Sequence, residues 1–278
     1  MKSKIGKCRR MRDVLIEEIY KKMHKNSNIY FLSDDFGAST LDRLRRKFKR
    51  RFINVGIAEQ NLINIATGLA IEGFTVYVYG ISAFLTMRPY EQIRNNLSLF
   101  SQLRKINVNL IGVGAGLSYD VSGPTHYCLE DISLTRLLPN IIVFSPSDWV
   151  LTKKFIDFSI KVKRPKYIRL DGAPLPRIYR ESTPIDLNKG FFELKKGDEV
   201  CLVSTGYMTQ VALKVAYTLL KEQVKVGIID VFLLKYLNEN LLAKCLRKYR
   251  IVITIEEAFI NRGGLDGIVS NIILSDKR

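Results

Sequence analysis

Phe52-Ile53-Asn54-Val55-Gly56-Ile57-Ala58-Glu59-Gln60-Asn61, with the apolar run that continues to Gly73, is the stretch on which the fold turns. Phe52 to Val55 is short, apolar and rich in β-favouring side chains. Gly56 interrupts it, and Ala58, Leu62, Ile65, Ala66 and Leu69 then recur at helical spacing. The pattern predicts a strand, a tight turn and a buried helix. One acid, Glu59, stands in that helix's first turn. A helix N-terminus is partially positive, so capping explains an acid there as readily as chemistry does, and on pattern alone both readings stay open.

The same alternation extends in both directions. Residues 13–22 form a short amphipathic helix, 28–33 a strand, 34–39 the loop after it and 41–50 a basic helix. Beyond Gly73, residues 75–79 read as a strand, 82–100 as helix despite Pro89, and 106–113 as a strand entering a glycine-rich loop that runs to Pro124. A helix at 129–138 and a strand, helix and strand at 141–144, 149–162 and 166–170 follow. Such alternation predicts an α/β fold with a parallel sheet covered on both faces. Ligands of these sheets sit beyond the carboxyl ends of the strands. The loops at 34–39, 56–59, 80–84 and 112–126 all follow strands and are expected to line one site.

Pro174, Pro176 and Pro184 stiffen the next stretch and resist helix and sheet alike. It reads as a linker, which divides the chain into 1–171, a connection at 172–186 and a second domain at 187–278. In the second domain the pattern restarts with strands at 199–204, 224–231 and 251–256, helices at 209–222 and 238–249, and a last helix from Gly264. This is a smaller α/β unit. Neither internal repeats nor low-complexity segments occur.

At 278 residues and 47% apolar content the chain has material for two ordinary cores. No apolar run reaches membrane-spanning length, and the basic N-terminus leads to Glu17 and Glu18 instead of an apolar signal segment, so the expected location is the cytoplasm. Cys8, Cys128, Cys201 and Cys245 are far apart and read as buried reduced thiols. The net charge of +17 points to an anionic partner or to a lysine-rich surface. Its densest run, Arg43 to Arg51, is read as a solvated helix face: no stacking pattern of aromatic residues, zinc-finger spacing or RNA-recognition signature accompanies it, so nucleic acid is not the expected partner.

Chemistry-bearing motifs are few. Gly112-Val113-Gly114-Ala115-Gly116 follows a strand, but Pro124 and further turn residues replace the helix N-terminus that a dinucleotide pyrophosphate requires. There is no P-loop and no GxSxG elbow, and two distant histidines, His24 and His126, supply no metal-ligand spacing. His24 reads as a surface residue on the first helix. His126 lies in a loop expected at the strand ends, where a binding role and a plain loop role are both open.

Five stretches carry a resemblance: NVGIAEQN (54–61), AFLTMRPYEQIRN (83–95), GPTH (123–126), LPNIIVFSPSD (138–148) and TIEEA (254–258). Together, in order and with matching spacing over almost the whole chain, they resemble the transketolase-like family of thiamine-diphosphate enzymes. More narrowly, they resemble the C-terminal-half (β) subunit of a split transketolase, or the matching half of 1-deoxyxylulose-5-phosphate synthase. The resemblance implies a pyrimidine-binding domain followed by a transketolase-type C-terminal domain, which here ends early. It implies that Glu59 hydrogen-bonds the cofactor's aminopyrimidine ring and promotes the imino tautomer that removes the C2 proton. That chemistry asks for a carboxyl able to hold a proton, which apolar neighbours such as Ile57, Leu62 and Phe84 favour and the helix N-terminus opposes. Phe84 matches the aromatic residue that stacks on the pyrimidine, and Tyr90 is a further candidate for that pocket. Asp35 matches an aspartate near the thiazolium, Ser39 a serine near the substrate phosphate, and His126 a substrate-side histidine. Arg88 and Ser122 are also assigned to the substrate side.

Departures from the family pattern sit on the substrate side. Ser122 replaces an acid, Gly114 a histidine that contacts sugar phosphate, Asp171-Gly172 a phosphate-binding arginine, and Ile81 an aromatic residue. Asp171 would serve an anionic phosphate poorly, so the expected sugar is non-standard, either non-phosphorylated or nucleotide-carried. The chain contains no GDG motif, through which the family binds the diphosphate and Mg²⁺. A hard cation needs a preformed set of oxygen ligands, so no metal ligand is expected in this chain. A partner subunit carrying GDG…N is expected in an α2β2 assembly, with thiamine diphosphate at the interface. The activity implied is transfer of a two-carbon ketol unit from a ketose to an aldehyde. The alternatives are the β subunit of a 2-oxo acid dehydrogenase or a deoxyxylulose-phosphate-synthase-like enzyme, or a non-catalytic basic nucleic-acid-binding or scaffold protein on this fold. GPTH and the 83–95 stretch argue against the dehydrogenase.

Overall fold

A computed structural model describes residues 8–276. The chain begins with a two-residue strand, β1 (Arg9–Arg10), and α1 (Met11–Lys25). Then follow β2 (Ile29–Ser33), α2 (Ser39–Lys47), β3 (Phe52–Asn54), α3 (Glu59–Ile71) and β4 (Thr75–Ile81). The predicted helix at 82–100 is subdivided. Pro89, which lacks an amide hydrogen, separates α4 (Ser82–Met87) from α5 (Tyr90–Gln92), and a π-helical turn (Ile93–Leu99) leads to α6 (Phe100–Leu103). The first domain is completed by β5 (Asn107–Val113), α7 (Asp131–Leu137), β6 (Ile142–Phe144), α8 (Trp149–Lys161) and β7 (Lys166–Leu170).

Six strands pair in the order β3-β2-β4-β5-β7-β6, all parallel. The sheet is the expected one. Its centre is dry: every residue of β5, and all of β4 except Ile81, is buried, as near-continuous apolar strands require when helices cover both faces. Helix α3 buries Leu62, Ile63, Ala66 and Ala70 and packs on β2, β4 and β5. Helix α1 packs on α8, and Phe155 of α8 stacks on Phe144 at 3.7 Å.

The stretch read as a linker is pinned at several points. It holds β8 (Pro174–Leu175), which pairs antiparallel with β1. Proline is tolerated there because a two-strand ribbon is all edge. Asp148, the N-cap of α8, also accepts hydrogen bonds from the Ile178 and Tyr179 amides at 2.6 and 2.9 Å. The second domain opens with a strand that local periodicity did not indicate, β9 (Phe191–Lys195), followed by β10 (Val200–Ser204), α9 (Met208–Lys221), β11 (Val226–Val231), α10 (Glu239–Leu246), β12 (Ile251–Ile255) and α11 (Leu265–Ser275). Its sheet runs β12-β10-β11-β9 and is mixed, since β9 lies antiparallel to β11.

The two domains share backbone hydrogen bonds, Ser145 N to Phe232 O and Leu234 N to Val143 O. They also share a buried polar knot in which Ser147, Tyr179 and Thr209 all donate to Asp230. Burial pushes Asp230 up to about 6, against those three hydrogen bonds.

The basic run is a solvated face as expected, with Arg43, Arg45, Arg46, Lys47, Lys49 and Arg50 exposed and Arg51, beyond the helix, half-buried. Arg43 lies over Tyr20, Arg45 over Phe52 and Arg51 over Phe48. Arg51 also donates to the Met23 and Asn26 carbonyls at the end of α1, where a cation suits the negative end of the helix dipole. The thiols differ from the expected burial in two cases. Cys128 and Cys201 are buried and Cys245 is half-buried, but Cys8 is exposed; none of the four is in a disulfide. No helix among the described residues is long and apolar enough to cross a membrane.

Candidate active site

The site forms where the loops after β2, β3 and β4 meet. Gly56 takes φ +76°, a conformation only glycine adopts freely, and turns the chain from β3 into α3. Asn54 ties two of the loops together, accepting from the Gly56 amide at 2.9 Å and donating to Asp35 at 2.7 Å. Glu59, the first residue of α3, is thereby delivered 4% exposed into a cleft of about 260 Å³. The cleft is also lined by Asp34, Asp35, Phe36, Ile57, Ile81, Phe84 and Arg88.

Glu59 is not left among apolar side chains. Arg88 Nη1 donates to Glu59 Oε1 at 2.5 Å, and the same guanidinium lies over the Phe84 ring, 4.0 Å from its centroid. His126 meets Phe84 edge-on at 5.1 Å, and its Nδ1 lies 3.1 Å from Thr125 Oγ1. Leu62 is fully buried, whereas Ile57 stands 77% exposed at the rim. An exposed apolar rim beside an acid and an aromatic face is suited to a flat, partly polar ring.

Glu59, Phe84, Arg88, Ile57, Asp35 and His126 are therefore brought together, and three other sequence-chosen residues are not. Tyr90 donates its hydroxyl to the Leu134 carbonyl at 3.1 Å, toward α7. Ser39, exposed at the start of α2, lines a separate groove with Tyr20 and Arg43. Ser122 is exposed on the loop before Gly123. Asp35 is itself exposed at φ +68°, a backbone turn that hands its carboxylate to Asn54.

The buried acid at this place is Asp34, which the sequence reading passed over. Its carboxylate lies against Gly80, where a Cβ would come within 2.3 Å of Oδ2. Burial pushes it up to about 6, opposed by the Phe36 amide, with the Glu59 charge raising it further and Arg88 lowering it. The available signal was Gly80 itself, a residue without a side chain on the strand paired with β2.

The cleft fits the pyrimidine half of the cofactor that the resemblance implies: the buried acids Glu59 and Asp34, the aromatic faces of Phe84 and Phe36, and apolar walls. Among the described residues no group of three or more His, Cys, Asp or Glu side chains is placed to hold a metal ion.

Comparison with known proteins gives the same family twice along the chain. Residues 8–176 match the transketolase pyrimidine-binding domain and residues 192–276 the transketolase C-terminal domain. A transketolase C-terminal section of Methanocaldococcus jannaschii is 30% identical over 274 residues, covering 98% of this chain and 84% of that protein. One subunit of the apulose-4-phosphate transketolase of Actinobacillus succinogenes is 30% identical over 243 residues, 87% of this chain and 76% of that one. A solved split-gene transketolase, described as an inactive β4 tetramer, superposes with a TM-score of 0.86 at 29% identity, over 98% of this chain and 87% of that one. The chain belongs to the transketolase family, as a pyrimidine-binding domain joined to a C-terminal domain.

Proposed function

We propose that the chain is the β subunit of a thiamine-diphosphate-dependent transketolase, transferring a two-carbon ketol unit from a ketose to an aldehyde in the cytoplasm. The observation that carries the reading is the meeting of buried Glu59 with Phe84 in one cleft at the carboxyl ends of parallel strands. When bound, the cofactor supplies a stabilised carbanion equivalent that protein side chains lack. The chain's own part is to accept, on Glu59, from a protonated ring nitrogen, or to donate to the bare nitrogen through a protonated Glu59 carboxyl, to stack the ring on Phe84, to cover it with Ile57 and Ile81, and to present His126 on the substrate side. Arg88, once released from Glu59, is placed to meet the substrate, and Asp35 to border the thiazolium. Tyr90 is engaged toward α7, and Ser39 and Ser122 lie outside the lining of the cleft, so the reading gives them no role.

The diphosphate and Mg²⁺ belong, in this reading, to an N-terminal-half partner with a GDG…N motif. An α2β2 assembly, divided within this chain at 1–171, 172–186 and 187–278, satisfies that requirement. The solved relative described as an inactive β4 tetramer supports dependence on such a partner. Asp171 supports a non-standard sugar: it is buried and acidic where a phosphate would need a cation, and burial pushes it up to about 6. The test is co-purification with the partner, then titration of thiamine diphosphate with Mg²⁺ and assay of ketol transfer. Saturable binding and transfer by the pair, and neither by the single chain, are expected. A pair that binds no thiamine diphosphate would refute the reading.

A further inference from the structure

Strands β5 and β7 are paired neighbours, Val113 opposite Leu170. Just beyond their carboxyl ends stand Gly114 and Gly172, and both are bare because of one ring. A Cβ on Gly114 would lie 2.2 Å from Tyr119 Cδ2, and a Cβ on Gly172 would lie 2.5 Å from Tyr119 Cε1. Opposite edges of the same phenol thus fill the space above two adjacent strand ends. The loop that carries it is held in place: the Gly114 and Ala115 amides donate to the Leu170 carbonyl at 3.0 and 3.1 Å. Ser118 Oγ accepts from the Gly172 amide at 3.1 Å and donates to the Ala115 carbonyl at 2.9 Å.

The ring is continuous with the cleft. Phe36, which lines the cleft beside Glu59 and Phe84, meets Tyr119 edge-on at 6.5 Å and stacks on Tyr79 at 5.6 Å. The charges acting on Tyr119 come from Arg10, Arg12, Asp13 and Asp171. The two arginines act on it more strongly than the two acids, and Arg12, the stronger of them, is already engaged by Asp13 at 2.8 Å. The ring edge itself offers little to a dianion and much to a hydroxyl-bearing carbon chain.

We propose that Tyr119 is a specificity-determining residue: its ring occupies the place from which a charged side chain at 114 or 172 would reach the far end of the sugar, so the chain takes a ketose whose end distal to the ketol group is uncharged. This rests on the ketol-transfer reading above. The glycines and the ring form one unit, because a side chain at either glycine excludes the ring. Gly172 can be changed once the ring is gone, since its φ lies outside the left-handed region, whereas Gly114 at φ +83° cannot be changed without strain.

The test uses the chain reconstituted with its partner, thiamine diphosphate and Mg²⁺, with glycolaldehyde as acceptor. The unmodified enzyme should cleave xylulose with kcat/KM roughly tenfold or more above that for xylulose 5-phosphate. In the Tyr119→Ala/Gly172→Arg double variant that ratio should move roughly tenfold or more toward the ester, through KM for the ester and not through kcat. Calorimetric titration with inorganic phosphate reads the same change without turnover: saturable heat in the double variant, none in the unmodified complex. An unmodified enzyme that prefers the ester overturns the assignment. So does a folded double variant with an unmoved ratio and no phosphate heat. A complex that binds thiamine diphosphate yet cleaves neither donor overturns the assignment; one that also fails to exchange the cofactor's C2 proton overturns the ketol-transfer reading itself.

Discussion

Arg88 makes on Glu59 and Phe84 the two contacts that the proposed function gives to the cofactor's aminopyrimidine, a planar group that bonds the acid and covers the ring. Arg88→Ala separates the two uses of that surface. The ion pair joins a Glu59 side chain 5% exposed to an Arg88 side chain 43% exposed. With nearly half of one partner in water, the pair is valued near the surface range, about 1 kcal/mol. The stacked guanidinium adds about 0.5–1 kcal/mol. Denaturant unfolding should therefore show the variant chain less stable by about 1.5–2 kcal/mol. Those contacts must open before the aminopyrimidine reaches Glu59, so their loss should appear as tighter cofactor binding by the partnered variant, about 10- to 30-fold. Arg88→Lys keeps the charge but loses the planar fork and should fall between. The assay is titration of thiamine diphosphate with Mg²⁺ into the partnered chain, by calorimetry or intrinsic fluorescence. Unchanged or weaker binding by Arg88→Ala would mean that Arg88 supports the cofactor, and the competition argument would be refuted.

Three further outcomes are expected. Glu59→Gln should leave thiamine diphosphate affinity within a few-fold and nearly abolish exchange of the cofactor's C2 proton in D2O, followed by NMR; exchange at the unmodified rate would remove Glu59 from its role. Gly197→Ala places a Cβ 2.0 Å from Gly227 N and 2.3 Å from Val226 C, backbone atoms that cannot swing aside. Its denaturant midpoint should fall by the equivalent of about 2 kcal/mol or more, and a midpoint equal to that of the unmodified chain counts against the contact. Asp230, pushed from 3.8 to about 6, favours its protonated form in the fold. Its stabilising contribution is complete below the unfolded value and is lost as pH rises through about 6, on the order of 3 kcal/mol in all. Urea unfolding between pH 4 and 7 should therefore show a shallower fall in stability for Asp230→Asn than for the unmodified chain, and equal slopes would refute the assignment.

What could be read from the sequence was local, and what could not was decided across distance. Strands β4 and β5 declared themselves because centrally buried strands are largely apolar, the buried Asn107 and Asn109 of β5 apart, and Gly56 marked the turn that delivers Glu59. Strand β9 stayed hidden because Phe191-Phe192-Glu193-Leu194-Lys195 owes its conformation to antiparallel pairing with β11, some thirty-five residues away, and not to its own alternation. Residue order likewise could not reveal that Arg88 reaches back to Glu59, or that Asp34 and not Asp35 is the buried acid, since a single left-handed residue at 35 decides which carboxylate turns inward. The resemblance located Ser39 and Ser122 by register, but the path of an exposed loop fixes where such side chains point. Gly114 and Asp171-Gly172 show the difference most clearly. In sequence they are two unrelated departures from a family pattern, fifty-seven residues apart. In the fold they are the two sides of one slot, and Tyr119, which no motif singled out, is what fills it. A departure read in isolation records only what a site lacks; the neighbour that fills the volume shows what the site is shaped to hold.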